Sequence, residues 1–245
     1  MGVGTFINKF NIDNMKIVKT KTLSKEQKQL LIALLIGDGT ISNNNVFKLS
    51  HSSQQLEFLQ WKIQQLNNVG LITNGIKKYT SACGYNLGKE VIYTQLPINS
   101  TIKALRRTVY VPKKVISRKL LNWLNPLGIA IWFMDDGYIN INTSQYRSSV
   151  QHNIKISTCV DKNTVDIIIQ YFKEKWDITF KSFLERKSYY SIRTSSETDC
   201  LKFIDLVKPY VCQVPSMLYK IRKDLTKKEF IEKQLSGFEV RDLLF

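Results

Sequence analysis

An α+β fold, made of two diverged copies of one module laid end to end, is what the 245-residue sequence predicts. Three observations carry this expectation. The order helix, strand, helix occurs twice, the strands alternate apolar with polar residues, and hydrophobic residues make up 43% of the chain, enough to bury a sizeable core.

The first copy opens where Ser24, with Gln27 three residues on, forms a capping box at the start of an apolar helix. That helix ends in Gly37-Asp38-Gly39, and a polar turn leads to the strand Phe47-Lys48-Leu49-Ser50 and to a helix beginning near Ser53. The second copy opens at Asn125-Pro126, an N-cap followed by a first-turn proline. Its apolar helix ends in Asp135-Asp136-Gly137, followed by a polar turn, the strand Ile154-Lys155-Ile156-Ser157 and a helix beginning near Asp161. Leu56, Leu59, Ile63 and Leu66 fall at helical spacing, as do Val165, Ile168, Ile169 and Phe172, and both sets read as core stripes.

Strand alternation separates two faces. Phe47 and Leu49 oppose Lys48 and Ser50, while Val150, His152, Ile154 and Ile156 oppose Gln151, Asn153, Lys155 and Ser157. Tyr190, Ile192 and Thr194 oppose Tyr189, Ser191, Arg193 and Ser195. Such a sheet packs helices behind it and turns toward solvent the residue types that reach phosphates and major-groove base edges. Each strand alone fits a merely solvated face; the repetition in both copies, with the charge balance, points to DNA.

That balance is 36 Lys and Arg against 20 Asp and Glu, a net charge of +16. A surplus of this size suits a polyanion, because neutralising phosphates releases condensed counterions. A membrane is a poor partner: the longest apolar run, Leu30 to Ile36, is far too short to cross a bilayer, which takes about 20 residues. The start of the chain has no cationic segment followed by an apolar one, so an intracellular site of action is expected: an organelle matrix, or a prokaryotic or phage-infected cytoplasm. Cys83, Cys159, Cys200 and Cys212 are irregularly spaced and read as reduced, mostly buried thiols. His51 and His152 are not spaced for a zinc site.

The two apolar helices align without gaps as Leu31-Ile32-Ala33-Leu34-Leu35-Ile36-Gly37-Asp38-Gly39 and Ile129-Ala130-Ile131-Trp132-Phe133-Met134-Asp135-Asp136-Gly137. Each final glycine is expected to take a left-handed cap. A carboxylate in the last turn of a helix meets the negative end of the dipole, at a cost of about 0.3–1 kcal/mol. A bound divalent cation reverses that sign, so two such helices side by side would bring Asp38 and Asp136 together as an oxygen-rich metal site.

These two segments resemble the paired motifs of the LAGLIDADG homing endonucleases, in the branch that carries both on one chain. The resemblance extends over roughly residues 24–225, through Lys113-Lys114-Val115-Ile116, Asn122-Trp123-Leu124-Asn125-Pro126, Leu206-Val207-Lys208-Pro209-Tyr210 and Pro215-Ser216-Met217-Leu218-Tyr219-Lys220. It implies two pseudo-symmetric αββαββα halves joined through the motif helices, with antiparallel sheets forming a saddle over DNA. It also implies Asp38 and Asp136 as metal ligands, with Gly37 and Asp135 beside them, Asp135 being structural or supporting rather than essential. Lys114 and Lys220 become the basic residues near the scissile phosphates, with Lys113 as the alternative to Lys114. The expected contacts to DNA are Lys48, Ser50, Gln151, Asn153, Lys155, Ser157, Lys181, Tyr189, Ser191 and Arg193.

The resulting expectation is a monomer that uses Mg²⁺, with Mn²⁺ able to substitute, to make a staggered break in a long asymmetric double-stranded site. The organisation expected is an arm (1–23), a first half (24–125), a second half (126–223) and a tail (224–245) packed on one half, in which Phe230, Ile231, Gln234 and Leu235 suggest a short amphipathic helix. Two other readings use the same scaffold: a maturase binding group I intron RNA, and a non-catalytic DNA-binding regulator. Retention of both aspartates and both candidate lysines favours cleavage. On the motif helices themselves, Ala33 and Gly37 suit close packing, whereas the second helix offers only Ala130 beside bulky Trp132 and Phe133.

Overall fold

A computed structural model describes residues 23–82, 87–96, 100–110, 115–143 and 150–222. The arm before residue 23, Lys113, Lys114, Cys83 and the tail, with its expected amphipathic helix, lie outside these residues.

The first half runs α1 (Lys25–Ile36), β1 (Thr40–Ile41), β2 (Phe47–Ser52), α2 (Leu56–Asn68), β3 (Lys77–Thr80), β4 (Glu90–Leu96) and α3 (Ser100–Val109). A short helix α4 (Arg118–Leu121) leads to the second half: α5 (Pro126–Asp136), β5 (Gly137–Thr143), β6 (Val150–Val160), α6 (Lys162–Trp176), β7 (Phe180–Arg186), β8 (Tyr189–Thr194) and α7 (Glu197–Val211). A 3-10 turn over Pro215–Lys220 closes the described chain. Each half thus has the order αββαββα, and each holds one four-stranded antiparallel sheet, ordered β1-β2-β4-β3 and β5-β6-β8-β7. Among the described residues no helix is long and apolar enough to cross a membrane.

The helix starts follow from their caps. Ser24 accepts from Gln27 N–H while the Gln27 side chain accepts from Ser24 N–H, completing the capping box of α1. Asn125 accepts from Gly128 N–H and Pro126 occupies the first turn of α5. Asp161 caps α6 at Thr164 N–H. In the core stripes Leu59, Leu66, Val165, Ile168 and Phe172 are buried, whereas Leu56 at the start of α2 stays 38% exposed.

Two glycine expectations are corrected. Gly39 and Gly137 do not take left-handed φ; the described glycines that do are Gly70, Gly75 and Gly88. Gly39 and Gly137 are required by space instead: a Cβ on Gly39 would collide with the Leu34 carbonyl, and one on Gly137 with the Phe133 ring and carbonyl.

α1 and α5 pack against each other, and one continuous hydrophobic cluster runs from Leu23 through both helices to Met217. Gly128 is the small residue of α5 at this contact, where a Cβ would lie 3.1 Å from the Ala33 Cβ. The bulk of Trp132 and Phe133 turns the other way: Trp132 stacks on Phe172 of α6 and Phe133 meets Phe203 of α7 edge-on. The motif helices therefore approach closely because the large rings fill the second half's own core.

Of the three described cysteines, Cys200 is buried while Cys159 and Cys212 are exposed, so the expectation of mostly buried thiols is corrected. Cys159 sits at φ 48° where the pairing of β6 with β8 shifts register.

Candidate active site

The ends of α1 and α5 differ although their sequences align. α1 stops at Ile36, Gly37 caps it by donating to the Ala33 carbonyl, and Asp38 follows in the turn. α5 continues through Asp136 and passes directly into β5 at Gly137. At the seventh motif position Gly37 therefore meets Asp135 of the other helix, and a Cβ there would collide with the Asp135 carboxylate.

That carboxylate is wholly buried and has a different partner on each oxygen. Oδ1 accepts from Lys62 Nζ of α2 at 2.5 Å, both side chains being 0% exposed. Oδ2 accepts from Asp38 N–H at 3.1 Å. Lys62 also donates to His51 Nε2 of β2 at 3.1 Å, and its ammonium lies 4.2 Å from the centre of the Phe58 ring. Because lysine offers donors alone, His51 accepts at Nε2 and donates its Nδ1–H to Gln55 Oε1 at 3.2 Å. Burial, and then the Lys62 charge, pull the His51 imidazolium down to about 3, so the ring is neutral. Burial alone would push Asp135 up, but the Lys62 ammonium prevails and holds it below the usual carboxylate range.

Oxygen and nitrogen atoms of Asp38, His51 and Asp135 lie within 4.8 Å of one another. Three such groups could hold a metal in principle. Here the Lys62 ammonium already contacts both His51 and Asp135, which uses the two buried members of the group. Asp38 differs: its side chain is 43% exposed, with Oδ2 3.8 Å from His51 Nδ1.

Lys220 comes from the final 3-10 turn and lies behind these carboxylates. Its Nζ donates to the Met134 carbonyl at 2.6 Å and more weakly to the Asp135 carbonyl at 3.4 Å, serving acceptors at the C-terminal end of α5. Burial pulls it down to about 8, opposed by the charges of Asp135, Asp136 and Asp38, in decreasing order. The four predicted groups Asp38, Asp135, Asp136 and Lys220 thus belong to one electrostatic cluster, while Lys114 and its alternative Lys113 lie outside the described residues. Lys62 and His51, which complete the cluster, were missed in the sequence. A signal for each was present: Lys62 falls in helical register with Leu59 and Leu66, and His51 continues the inward alternation of Phe47 and Leu49.

The polar sheet faces carry most of the remaining predicted residues. In the second sheet Tyr138, Lys155, Arg193 and Lys181 stand opposite one another across all four strands. Burial and the neighbouring Arg193 lower the Lys155 pKa, as expected for cations crowded on one surface. In the first sheet Lys48 pairs with Thr40 and Gln95, its ammonium 4.3 Å from the Tyr93 ring and 4.7 Å from the Tyr79 ring. Ser50 pairs with Tyr93. Tyr189 is exposed, and Gln151 lies on β6. An open depression of about 410 Å³ is lined by Asn153, Lys181, Arg193, Ser195 and Glu197, and in it Asn153 Oδ1 is buried with no hydrogen-bond partner among the described residues.

Ser191 is corrected from an outward contact to a buried one. Its hydroxyl donates to the Glu185 carboxylate and accepts from Thr158 N–H. Glu185 also accepts from Ser157, so this acid of β7 occupies two hydroxyls that the sequence offers to DNA.

With this geometry in view, comparisons with known proteins identify the lineage. A family model described as the LAGLIDADG DNA endonuclease family matches residues 28–200. The protein RecA of Mycobacterium shimoidei is 28% identical over 221 residues, which cover 85% of this chain and 49% of that protein. The protein RecA of Mycobacterium leprae is 27% identical over 222 residues, 85% of this chain and 29% of that protein. The chain therefore spans about half or less of the length of these relatives. The solved structure of the homing endonuclease I-WcaI bound to its DNA recognition sequence matches with a TM-score of 0.67 at 21% identity, covering 83% of this chain and 89% of that one. The meganuclease I-SmaMI bound to uncleaveable DNA matches at 0.50 and 11%, covering 90% and 97%. At these identities the structural likeness concerns the fold: two pseudo-symmetric halves joined through paired motif helices. Because the family model spans well over half of the sequence, this chain belongs to the LAGLIDADG DNA endonuclease family.

Proposed function

We propose that the protein is a monomeric, site-specific homing endonuclease that hydrolyses one phosphodiester on each strand of a long asymmetric double-stranded DNA site, leaving a staggered break. The observation that carries this reading is the cluster at the ends of α1 and α5, where buried Lys220 is held by the Met134 carbonyl in the combined field of Asp135, Asp136 and Asp38. Family membership and the likeness to a DNA-bound fold support it.

The donor chemistry fits a hard divalent ion. Asp38 and Asp136 offer carboxylate oxygens, while the neutral His51 and the Asp135 carboxylate are engaged by Lys62. When bound there, Mg²⁺, or Mn²⁺ in its place, supplies positive charge against the phosphate and lowers the pKa of coordinated water. Asp38 and Asp136 would hold it. Lys220 sets a compensating positive charge behind the aspartates, and at about 8 its pKa lies close enough to neutrality for proton exchange with the solvent network. By resemblance Lys114 serves the first half in the same way. The row Lys155, Arg193 and Lys181, with Lys48 on the other sheet, would engage phosphates along the groove and set the register of the base-reading side chains. The place of action would be a compartment holding such DNA, an organelle matrix or a prokaryotic or phage-infected cytoplasm.

The test uses DNA made by joining the sequences that flank the coding region, with Mg²⁺ present. The parent should cut both strands, and Asp38→Asn or Asp136→Asn should lower the cleavage rate by about a thousandfold, equivalent to ~4 kcal/mol of transition-state stabilisation, with DNA binding in Ca²⁺ retained. A doubly substituted protein that cuts like the parent ends this assignment. Tight binding of the surrounding transcript without any cutting would replace it with the RNA maturase reading.

A further inference from the structure

Lys62 is a buried lysine on a helix that carries neither motif. Lysine is almost never fully buried unless paired, and an ion pair in the interior is on average no more stabilising than apolar side chains of similar volume. The pair with Asp135 therefore calls for an explanation other than stability, and its geometry supplies one.

Lys62 belongs to the first half and Asp135 to the second, so their 2.5 Å contact crosses the boundary between the motif helices. The ammonium fixes Oδ1 of Asp135, and this leaves Oδ2 directed at Asp38 N–H, 3.1 Å away. Asp38 lies past the end of α1, between Gly37 and Gly39, whose N–H groups donate to the Ala33 and Leu34 carbonyls of the helix while that of Asp38 turns across the boundary to Asp135. Gly37 completes the fit, since any larger residue would displace the Asp135 carboxylate. His51, neutral and bonded to Gln55, accepts a further hydrogen bond from Lys62 Nζ at Nε2 and keeps the ammonium in place.

We propose that Lys62 is a positioning residue for the cleavage site: by clamping Asp135 across the boundary between the halves, it holds the turn that presents the Asp38 carboxylate. The claim rests on the endonuclease reading for its consequence in catalysis, though its structural part can be tested without DNA. Lys62 acts only through Asp135: its ammonium balances and orients the buried carboxylate, whereas a neutral amide at position 135 has no charge to balance and can accept from Asp38 N–H unaided.

Two uncharged double variants separate this role from general support of the fold. Lys62→Met with Asp135→Asn removes both charges and keeps an acceptor for Asp38 N–H. Lys62→Met with Asp135→Leu removes both charges and the acceptor. Neither leaves an unpaired buried charge, so both should fold. Amide exchange at Asp38, measured on the full chain without metal or DNA, should stay within about threefold of the parent in the Asn variant and accelerate by about tenfold or more in the Leu variant. Single-turnover cleavage, in two variants that have lost the same two charges, should be slower in the Leu variant than in the Asn variant by about tenfold or more at equal DNA affinity. Equal exchange and equal cleavage in the two variants would overturn the proposal. If the parent cuts no DNA, the endonuclease reading fails while the exchange measurement still decides whether Lys62 and Asp135 hold the Asp38 turn. If Lys62→Met alone behaves like the parent in both measurements, the clamp is unnecessary and the proposal falls.

Discussion

The ends of the two motif helices are the same by alignment and different by construction. On α1 the seventh motif residue is Gly37, the helix stops before it, and Asp38 stands in a turn. On α5 that residue is Asp135, the helix runs on through Asp136, and the strand begins at once. The reason is shared space. Two carboxylates at the seventh positions would collide and repel, while two glycines would leave Lys62 without a counter-ion and Asp38 N–H without its acceptor. The helices approach closely along their shafts, where Gly128 meets Ala33, and they differ most at their tips, where charge must be balanced.

The strongest way to break this contrast is to make the first helix resemble the second. Gly37→Asp would place a second carboxylate against Asp135, with one ammonium to serve both. It should lower stability by about 3–5 kcal/mol, the range for a buried charge left uncompensated. Urea unfolding monitored by circular dichroism measures it, and a loss below 1 kcal/mol would mean that the seam is far looser than it looks.

A smaller effect should separate the terminal glycines of the motifs. Gly39→Ala drives a methyl to 2.4 Å from the Leu34 carbonyl of the backbone, whereas Gly137→Ala meets the Phe133 ring first and lies 2.7 Å from the Phe133 carbonyl. Overpacking of this kind costs about 1–3 kcal/mol, and the Gly39 variant should unfold at the lower urea concentration. The opposite order would show that the ring is held more rigidly than the backbone beside it.

The smallest effect concerns the helices behind the sheets. After α2 the left-handed position is taken by Gly70, and at the end of α6 by Asp177, whose side chain meets Lys173 and Lys202. Hydrogen bonds from those two lysines hold the Asp177 carboxyl down to about 2. A carboxylate depressed in the folded state adds stability above its unfolded pKa, near 4, and loses that contribution as pH falls toward 2. Asp177→Asn keeps a residue that tolerates left-handed φ, so the variant should differ slightly from the parent at pH 6 and converge with it by pH 2. Melting temperatures across that range check the convergence, and a constant offset would rule out the ionic origin.

Much of this architecture was legible in the sequence because its signals are local. The capping residues Ser24 and Asn125, the helix start near Asp161, the alternation through Lys48 and Lys155, and the two motif helices all depend on neighbours a few residues away. What was not legible depends on contacts distant in sequence. Lys62 and Asp135 are 73 residues apart, and nothing near Lys62 announces a carboxylate. Ser191 is outward by alternation and buried in fact because Glu185 folds over it. Gly39 and Gly137 look like left-handed caps, yet they are small because something else comes close. In the candidate site, Asp38 and Asp136 are marked by the motifs and Lys220 by the family resemblance alone, while the contacts of His51 and Lys62 with Asp135 depend on the fold.

The unequal seam also governs which helices can associate. Were the halves separated, two copies of the second would have to bring one Asp135 against another in a two-fold contact, with no Lys62 to neutralise either. Two copies of the first would face each other with Gly37 opposite Gly37, and each Lys62 would be stranded without an anion. Only the mixed arrangement satisfies both, so a single buried proton-rich side chain instructs each half to reject its own kind and accept the other.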